Sequence, residues 1–274
     1  MNNIQLANET VKICNKGSYS IDGELVELPA ADYSHVDVWN PAQGKELLAL
    51  DLDKLGDEGA EYGGNLTVVN KDSFEAAKDY TDTVVLNFAN AHNPGGGFML
   101  GANAQEECLC RNSTLYKSLI SAEAKELYNF NNSHISKCES DFMLFTPNVY
   151  VFRDRESNLI KDGFTTSVLT APAPNRHGTA MLASAKNIEQ TFKKRIRIIL
   201  RIAIRQGKKN IVLGAWGCGA FGNKPYDVAE YFRSILIDEG YLKKFDNVVF
   251  AIYGKDDSVN IKAFKKVLCK QRAV

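Results

Sequence analysis

The chain has 274 residues, in which 33 lysines and arginines balance 33 aspartates and glutamates, and 45% of the residues are hydrophobic. This length fits one large domain or two small ones with a packed core. The lack of a basic excess argues against a general nucleic-acid coat and against a membrane-surface protein. A run of about 18 apolar residues, which a membrane-spanning helix requires, does not occur in the sequence.

The first 65 residues are predicted to form an irregular leader, which would be an accessory extension packed on the core. Two short alternating runs around Asp22-Gly23 predict a β-hairpin over Tyr19–Leu28. A helical stretch is expected near Glu46–Leu55. The glycines at positions 56, 59, 63 and 64 then indicate a loop or a domain boundary.

From residue 66 to residue 274, short apolar strands alternate with helices, which predicts one α/β domain with a mixed, mostly buried sheet. The predicted strands are Leu66–Val69, Thr83–Phe88, Phe142–Phe145, Asn148–Phe152, Ser167–Thr170, Asn210–Leu213 and Asn247–Tyr253. The predicted helices are Asp72–Lys78, Gln105–Ile120, Lys186–Gln206, Pro225–Asp238 and Ile261–Cys269.

The first unusual segment follows the strand Thr83–Phe88 and ends in three glycines, Gly95, Gly96 and Gly97. Glycine permits positive φ and lacks the Cβ that would keep a ligand away from the backbone. A row of backbone amides after a strand can therefore bind an anion. The segment is not a Walker loop, because no Gly-Lys-Ser/Thr follows it. We interpret it as a ligand loop rather than a plain flexible turn.

A second glycine-rich segment follows the strand Asn210–Leu213. Gly217, Gly219 and Gly222 spell GxGxxG, which on its own is weak evidence for a dinucleotide site. A Rossmann unit places this motif in an early strand–helix turn, with a later strand that ends in an acidic residue. Here the motif lies in the last quarter of the chain, and the strand that follows ends at Tyr253. Backbone amides before a helix still suit a phosphate.

Two side chains within the second segment have more than one interpretation. Phe221 is flanked by small residues and is a candidate to stack on a sugar or a base, and the alternative is that it folds back into the domain. Cys218 could be a nucleophile near a helix N-terminus, or a small residue that fills a tight space.

An acidic pair, Glu106 and Glu107, begins a predicted helix just beyond the first glycine segment. Acids at a helix start have a simple explanation, since they complement the helix dipole. Their position after a phosphate-type loop favours a second explanation, in which the first turn of the helix points at a ligand. Adjacent helical residues differ by about 100° in direction, so the two carboxylates would have different tasks.

Together these motifs resemble the poly(ADP-ribose) glycohydrolase family. The string GGGFMLGANAQEE, residues 95–107, is similar to the family signature of three glycines, a short spacer and Gln-Glu-Glu. The surrounding strings resemble the microbial-type branch and occur in its order: VLNFANAHNPGGG, QEECLCRNSTLY, TPNVYVFRD, TAPAPN and VLGAWGCGAFGN. The resemblance covers most of the chain from about Asn65 to Tyr253, and the first 65 residues more weakly.

The resemblance implies a macrodomain-like fold, with three α/β/α layers, a mixed central sheet and an N-terminal extension. It implies hydrolysis of ribose–ribose O-glycosidic bonds in poly(ADP-ribose), releasing ADP-ribose from the chain end, without a cofactor or a metal. The expected partners are ADP-ribose, poly(ADP-ribose) and ADP-ribosylated proteins, with no membrane contact, and the protein is expected to be a monomer.

The resemblance also implies roles for individual residues. Glu107 would be the catalytic residue at the scissile bond, and Glu106 would hold ribose hydroxyls. The first loop would lie next to the diphosphate and the distal ribose, and the second would wrap the diphosphate, with a phenylalanine on the ribose. The implied substrate-binding residues are Asn90, Gly95, Gly96, Gly97, Gln105, Gly217, Cys218, Gly219, Ala220, Phe221 and Gly222.

Three other functions remain open at this point. They are removal of single ADP-ribose units from protein or DNA, non-catalytic binding of ADP-ribose, and a more distant Rossmann-type oxidoreductase. The acid pair favours an enzyme, because a binding domain does not need it. Histidines and cysteines lack metal-site spacing, and we expect reduced thiols and an intracellular protein, cytoplasmic or, in a eukaryotic cell, nuclear.

A basic stripe, Arg197, Arg201 and Arg205, recurs every four residues on one predicted helix. Such a stripe is usually the solvated face of a half-buried helix. A contact between this stripe and an anionic polymer is the alternative.

Overall fold

A seven-stranded mixed sheet with helices on both faces forms the centre of the computed structural model, which describes residues 1–56, 62–134 and 136–269. The strands are β1 Ser18–Ile21, β2 Glu24–Glu27, β3 Asp37–Trp39, β4 Asn65–Val69, β5 Thr83–Phe88, β6 Met143–Arg153, β7 Leu159–Ala171, β8 Asn210–Leu213 and β9 Asn247–Ala251. The helices are α1 Asn3–Lys16, α2 Pro41–Ala49, α3 Ser73–Ala77, α4 Gln105–Asn112, α5 Leu115–Leu119, α6 Lys125–Ser133, α7 Ala185–Arg205, α8 Pro225–Arg233 and α9 Val259–Leu268.

The central sheet has the order β3-β6-β7-β5-β8-β9-β4. Strands β7, β5, β8, β9 and β4 are parallel, whereas β6 pairs antiparallel with β7 and with β3. The carboxyl ends of β5 and β8 therefore lie side by side at one edge of the sheet. Because both glycine segments follow these strands, they meet at the edge where open α/β sheets bind ligands.

Two apolar clusters bury the two faces of the sheet. Val84 and Leu86 of β5 pack with α7, α8 and α9 on one face, while Val85 packs with α1 and α3 to α6 on the other. This arrangement explains why β5 has a continuous apolar pattern, since both of its faces are covered. The predicted α/β class with a macrodomain-like three-layer architecture is confirmed.

The prediction of an irregular leader is wrong. Residues Asn3–Lys16 form α1, which begins with a capping box of Asn2 and Gln5 and ends at Gly17 in the left-handed conformation. The hairpin is confirmed as β1 and β2, and β3 adds an edge strand to the central sheet. The first 65 residues thus contribute to the sheet itself, and the division of the chain at residue 65 stays a prediction. The boundary glycine at position 59 lies outside the described residues.

Some element boundaries differ from the predictions. The predicted helix Gln105–Ile120 is two helices, because Ser113 is extended at φ −150° and forms a β-bridge with Val151. The two predicted strands between Phe142 and Phe152 are one strand, β6, which is irregular between Thr146 and Val149. The patterns also missed α6 and the first half of β7. The expected helix near Glu46–Leu55 is α2, which starts earlier, after the Asn40 cap.

The helices of the described residues include none long and apolar enough to cross a bilayer. All six cysteines are described, and each is a free thiol.

Candidate active site

A cavity of about 620 Å³ lies at the carboxyl edge of the sheet, between the start of α4 and the second glycine segment. Its floor includes Phe88 at the end of β5 and the residues from Ala251, the last of β9, to Tyr253. The start of α4 forms one wall, and the second glycine segment forms another. Pockets of this size hold small ligands and cofactors. The predicted site residues in its lining are Gln105, Gly217, Gly219, Ala220 and Phe221.

The first glycine segment requires its glycines for two separate reasons. Gly95 and Gly96 have φ of +67° and +58°, in the left-handed region that favours glycine. A Cβ at Gly96 would also lie 2.4 Å from Glu107 Oε1 and 3.1 Å from Glu106 Oε2. A Cβ at Gly97 would lie 2.7 Å from Ala102 Cβ. The segment is therefore folded directly against the two carboxylates that the sequence singled out.

Glu107 is 8% exposed, and both of its carboxylate oxygens accept backbone hydrogen bonds. Gly97 N donates to Oε1 at 2.9 Å, and Ala104 N donates to Oε2 at 3.0 Å. The second bond is the helix-capping arrangement that gives acids at a helix start their simple explanation. The first bond is not explained by capping, because it ties the carboxylate to the glycine segment.

Glu106 is 3% exposed and lies deeper than Glu107. Asn90 N donates to its Oε2 at 2.7 Å, and Asn87 Nδ2 donates to its Oε1 at 3.2 Å. Burial raises the pKa of the Glu106 carboxyl to about 8, and the charge of Glu107 adds to the rise, while the two hydrogen bonds oppose it. The adjacent acids therefore have different surroundings, as two acids with different chemical roles require.

Asn87 is a candidate site residue that the sequence patterns did not indicate. It is fully buried in β5, where its Nδ2 also lies 3.2 Å from Thr170 Oγ1 of β7. Its Oδ1 has no hydrogen-bond partner among the described residues. A polar residue inside the otherwise apolar run Thr83–Phe88 was the available signal, since buried polar groups normally need a reason.

Asn90 and Gln105 organise the backbone around the acid pair. Asn90 Oδ1 accepts hydrogen bonds from His92 N at 2.8 Å and Asn93 N at 2.9 Å, which shapes the start of the loop. Gln105 Oε1 accepts from Phe88 N at 2.9 Å, and its Nε2 donates to Leu86 O at 2.8 Å. The Gln105 amide thus joins the start of α4 to the end of β5 and fixes their spacing.

The second glycine segment is held by the chain that follows β7. Gly217 and Gly222 have φ of +74° and +69°. Asn223 Nδ2 donates to Gly217 O at 2.9 Å and to Pro174 O at 2.8 Å, which closes the loop on itself. Gly219 has open space where a Cβ would be, so its backbone remains accessible from the cavity.

The aromatic and thiol side chains of the second segment take separate positions. Phe221 is half-buried and lines the cavity, with part of its ring against the core. Trp216 is fully buried and donates from Nε1 to Ala171 O at 3.0 Å, so it belongs to the core. Burial raises the pKa of the Cys218 thiol to about 12, which disfavours the thiolate that a nucleophile requires.

The acid pair lies immediately behind the cavity wall rather than in its lining. Ala104 lines the cavity and donates its N–H to Glu107, so the carboxylate is one hydrogen bond away from the wall. Asn90, Gly95, Gly96, Gly97, Cys218 and Gly222 are also outside the lining.

The basic stripe is mostly engaged within the protein. Arg197 pairs with Glu239, with an Nη2–Oε1 distance of 2.6 Å. Arg201 is buried and donates to Tyr241 Oη and to the carbonyls of Leu47 and Leu50. These contacts favour a structural role for the stripe over contact with an anionic polymer. Metal-ligating side chains do not cluster anywhere within the described ranges.

We expect the contribution of Glu106 to the free energy of unfolding to fall as the pH rises from about 4 to about 8. The native state keeps this proton up to its pKa of about 8, whereas an unfolded chain releases it at a pKa of about 4.3. The unfolded state therefore binds fewer protons in this window. Across it, the Glu106 contribution to the free energy of unfolding changes by roughly 5 kcal/mol at most. Glu106→Gln removes this group, so the variant should become more stable relative to the native chain at pH 8.5 than at pH 5.

Urea unfolding at both pH values measures this difference. Glu123→Gln, which changes an exposed acid in the same way, is the control and should follow the native chain. Equal pH dependence of the native chain and Glu106→Gln would show that Glu106 is not a proton-holding group.

Comparison with known proteins identifies the family. The family model described as microbial-type PARG, catalytic domain, matches residues 7–154. The solved structure of poly(ADP-ribose) glycohydrolase from Thermomonospora curvata is 34% identical, with 96% of this chain and 98% of that chain covered and a TM-score of 0.86. The same Thermomonospora curvata enzyme bound to the inhibitor ADP-HPD gives 33% identity, the same coverage and a TM-score of 0.84.

A second bacterial structure agrees. Poly(ADP-ribose) glycohydrolase from Deinococcus radiodurans in complex with ADP-ribose is 34% identical, with 89% of this chain and 98% of that chain covered and a TM-score of 0.78. The search of curated proteins gave no match. Since the family model spans more than half of the chain and the solved relatives cover nearly all of it, this chain belongs to the microbial-type poly(ADP-ribose) glycohydrolase family.

Proposed function

We propose that this chain hydrolyses the ribose–ribose O-glycosidic bond of poly(ADP-ribose) and releases ADP-ribose from the end of the polymer. The observation that carries the proposal is the direct contact of the first glycine segment with the acid pair, beside a cavity large enough for a nucleotide-sized ligand. Relatives that are 34% identical over nearly the whole chain are poly(ADP-ribose) glycohydrolases, and one of them is in complex with ADP-ribose.

In the proposed mechanism, Glu107 is the general acid and then the general base. It donates a proton to the leaving ribose oxygen as the glycosidic bond breaks, and positive charge develops at the anomeric carbon. The substrate's own diphosphate stabilises this charge. Glu107 then takes a proton from the attacking water. This scheme differs from ordinary glycosidases, in which two separated carboxylates flank the bond.

Glu106 has a binding role in the same scheme. A carboxyl group with a pKa of about 8 is neutral at physiological pH, so it can both donate to and accept from ribose hydroxyls. Both Glu106 oxygens accept hydrogen bonds, from Asn90 N and Asn87 Nδ2, whereas a glutamine side chain has one acceptor oxygen. Because Glu106→Gln loses one of these bonds and moves the group that faces the ribose, we expect it to weaken both ADP-ribose binding and turnover. Native behaviour of this variant would leave Glu106 with only a helix-dipole role.

The remaining binding roles follow from the loops. Exposed backbone at Gly219 and Ala220 can approach the diphosphate, and Phe221 can pack on a ribose from across the cavity. ADP-ribose, poly(ADP-ribose) and ADP-ribosylated proteins are the proposed partners. We propose that the protein acts as a monomer without a cofactor. The monomer is supported by the presence of both loops and both acids in one chain.

A comparison of three substrates tests the proposed function. Automodified poly(ADP-ribose), mono-ADP-ribosylated protein and ADP-ribosylated DNA are each incubated with the protein, and released ADP-ribose is measured. Release from the polymer alone supports the proposal. Release from protein or DNA alone would instead make the chain a mono-ADP-ribosyl hydrolase, and binding without release would make it a non-catalytic reader.

We expect hydrolysis to depend only weakly on salt. The cavity cations Lys71 and Arg155 already pair with acids, at 2.8 Å to Asp79 and 2.8 Å to Glu156, and the chain has no net charge. If two loops hold one terminal unit, kcat/KM should fall by less than about tenfold between 50 and 200 mM salt. A protein with many phosphate contacts loses about 10³-fold or more over this range. A loss of that size would contradict recognition of the chain end alone.

A further inference from the structure

Glu139 lies outside the site described so far, between the supports of the two glycine segments. It is 9% exposed, and its backbone has φ of +55°, a conformation that is uncommon for a residue other than glycine. Its Oε2 is buried without a hydrogen-bond partner among the described residues. A buried acid in a strained conformation is costly, so its position calls for a specific reason.

One side of Glu139 faces the first glycine segment. His92 Nε2 lies 3.8 Å from Glu139 Oε1, and His92 Nδ1 lies 2.9 Å from Asn132 Oδ1 of α6. The backbone next to this histidine is also fixed, because Asn131 Nδ2 donates to Ala91 O at 3.0 Å. His92 follows Asn90 by two residues, so a contact on its ring acts on the loop that holds Glu106.

The other side of Glu139 faces the support of the second glycine segment. Thr179 Oγ1 donates a hydrogen bond to the same Oε1 atom that faces His92. The residues just before Thr179 hold the second segment: Arg176 N donates to Phe221 O at 2.9 Å, and His177 Nδ1 lies 2.9 Å from Ala220 O. Through Thr179 and the residues just before it, Glu139 is therefore connected to Ala220 and Phe221, which line the cavity.

Arg195 holds the Glu139 segment against α7. Its Nε donates to Asp141 Oδ1 at 3.0 Å, its Nη1 donates to Pro172 O at 2.9 Å, and its Nη2 donates to Cys138 O. Asp141 also pairs with Lys194. The segment that carries Glu139 is thus anchored on both sides of the residue. Its side chain does not take part in this anchoring and contacts His92 and Thr179 instead.

We propose that His92, Glu139 and Thr179 form a bridge that fixes the spacing of the two glycine segments, with Glu139 as a positioning residue for substrate binding. The inference rests on the proposed function, since it assumes that the two segments hold one ADP-ribose unit. The bridge depends on one atom. Glu139 Oε1 accepts the hydrogen bond from Thr179, which belongs to the support of the second segment, and the same atom faces His92 of the first segment. Loss of either contact lets the two loops move independently and makes the binding geometry less well defined.

Glu139→Gln and Thr179→Val test the bridge, and Thr179→Ser is the matched variant that keeps the hydroxyl. We expect KM for poly(ADP-ribose) and the Kd for ADP-ribose to rise about tenfold in the first two variants, while kcat changes less than about threefold. Thr179→Ser should keep the native KM, Kd and kcat. The double variant should bind no more weakly than Glu139→Gln, because both changes break the same bridge.

Hydrogen exchange without ligand gives a second readout that does not depend on activity. Amides in residues 90–97 and in residues 217–222 should both exchange at least about fivefold faster in Glu139→Gln and Thr179→Val. Glu239→Gln, which breaks the Arg197 pair away from the loops, is the control and should leave both loops unchanged.

Two results would overturn the bridge. One is native Kd, KM and loop exchange in both Glu139→Gln and Thr179→Val. The other is equal impairment of Thr179→Val and Thr179→Ser, since the hydroxyl would then be irrelevant. A native chain that releases no ADP-ribose contradicts the proposed function instead, and the exchange of the two loops still decides whether the bridge exists.

Discussion

Glu107→Gln is expected to retain ADP-ribose binding and to lose hydrolysis. The variant cannot donate or accept the proton at the glycosidic oxygen, and general acid–base catalysis contributes about 10²–10⁴-fold to a rate. We therefore expect kcat on poly(ADP-ribose) to fall by about 10³-fold or more. Single-turnover release of ADP-ribose measures the rate, and calorimetric titration with ADP-ribose measures the affinity.

The hydrogen bonds of Glu107 set the expected size of the binding change. Its two oxygens accept from Gly97 N and Ala104 N, whereas a glutamine side chain has only one acceptor oxygen. One of the two bonds is lost, at a net cost of about 1 kcal/mol to stability. Even if this whole cost fell on the complex with ADP-ribose, Kd would rise by only about fivefold. Glu123→Gln is the control for an acid-to-amide change at an exposed position and should behave as the native chain. Undiminished turnover by Glu107→Gln would contradict the proposed mechanism.

The central part of the fold could be predicted because its strands have simple patterns. Strand β8 occupies the predicted residues Asn210–Leu213, and β5 the predicted Thr83–Phe88, since each is a short apolar run between polar turns. Helix α7 is also close to prediction, because its apolar face repeats over 21 residues. These elements carry both glycine segments, so the approximate place of the site followed from them.

Other parts of the fold depend on contacts that have no local signature. In α1 the buried positions Ala7, Thr10, Ile13 and Cys14 include small and polar residues, which make the helical pattern weak. The break between α4 and α5 is imposed by the bridge from Ser113 to Val151, a residue far along the chain. The first half of β7 is more exposed than the second, so an apolar run identifies only its end.

The same distinction holds within the candidate site. Glycine spacing and the Gln-Glu-Glu string indicated the loops and the acids, but not that Gln105 joins α4 to β5 or that Asn87 lies beneath Glu106. Glu139 could not have been identified, because its partners His92 and Thr179 are brought together only by the fold. Residues that bind substrate through local motifs are visible in a sequence, whereas residues that position them are visible only in three dimensions.

The structure also makes the meaning of the balanced charge more specific. The cavity cations Lys71 and Arg155 pair with acids, and on α7 Arg197 pairs with an acid and Arg201 with carbonyl groups. A polyanion would then be held through backbone amides at two loops rather than through a basic surface. We therefore expect substrate recognition to depend strongly on loop geometry, so that a single added methyl group in the first loop has a large effect.

Gly96→Ala is the substitution that tests this dependence most directly. Its Cβ would lie 2.4 Å from Glu107 Oε1 and 3.1 Å from Glu106 Oε2, so at least one carboxylate or the loop must move. The φ of +58° adds a backbone cost of about 1–2 kcal/mol for alanine. Because a shift of about 1 Å in a catalytic group can cost about 10²-fold, we expect kcat/KM to fall by at least that factor.

Gly101→Ala is the matched control, because it separates the backbone cost from the collision with the acids. Gly101 ends the same loop with φ of +81°, but its Cβ would meet Ile4 Cγ1 at 2.9 Å, on a half-exposed flexible side chain. Both variants should lower the midpoint of thermal unfolding by a similar amount, and only Gly96→Ala should lose hydrolysis. If Gly96→Ala and Gly101→Ala lose activity equally, the loop matters for stability alone, and the close packing of Gly96 on the acid pair has no special role in catalysis.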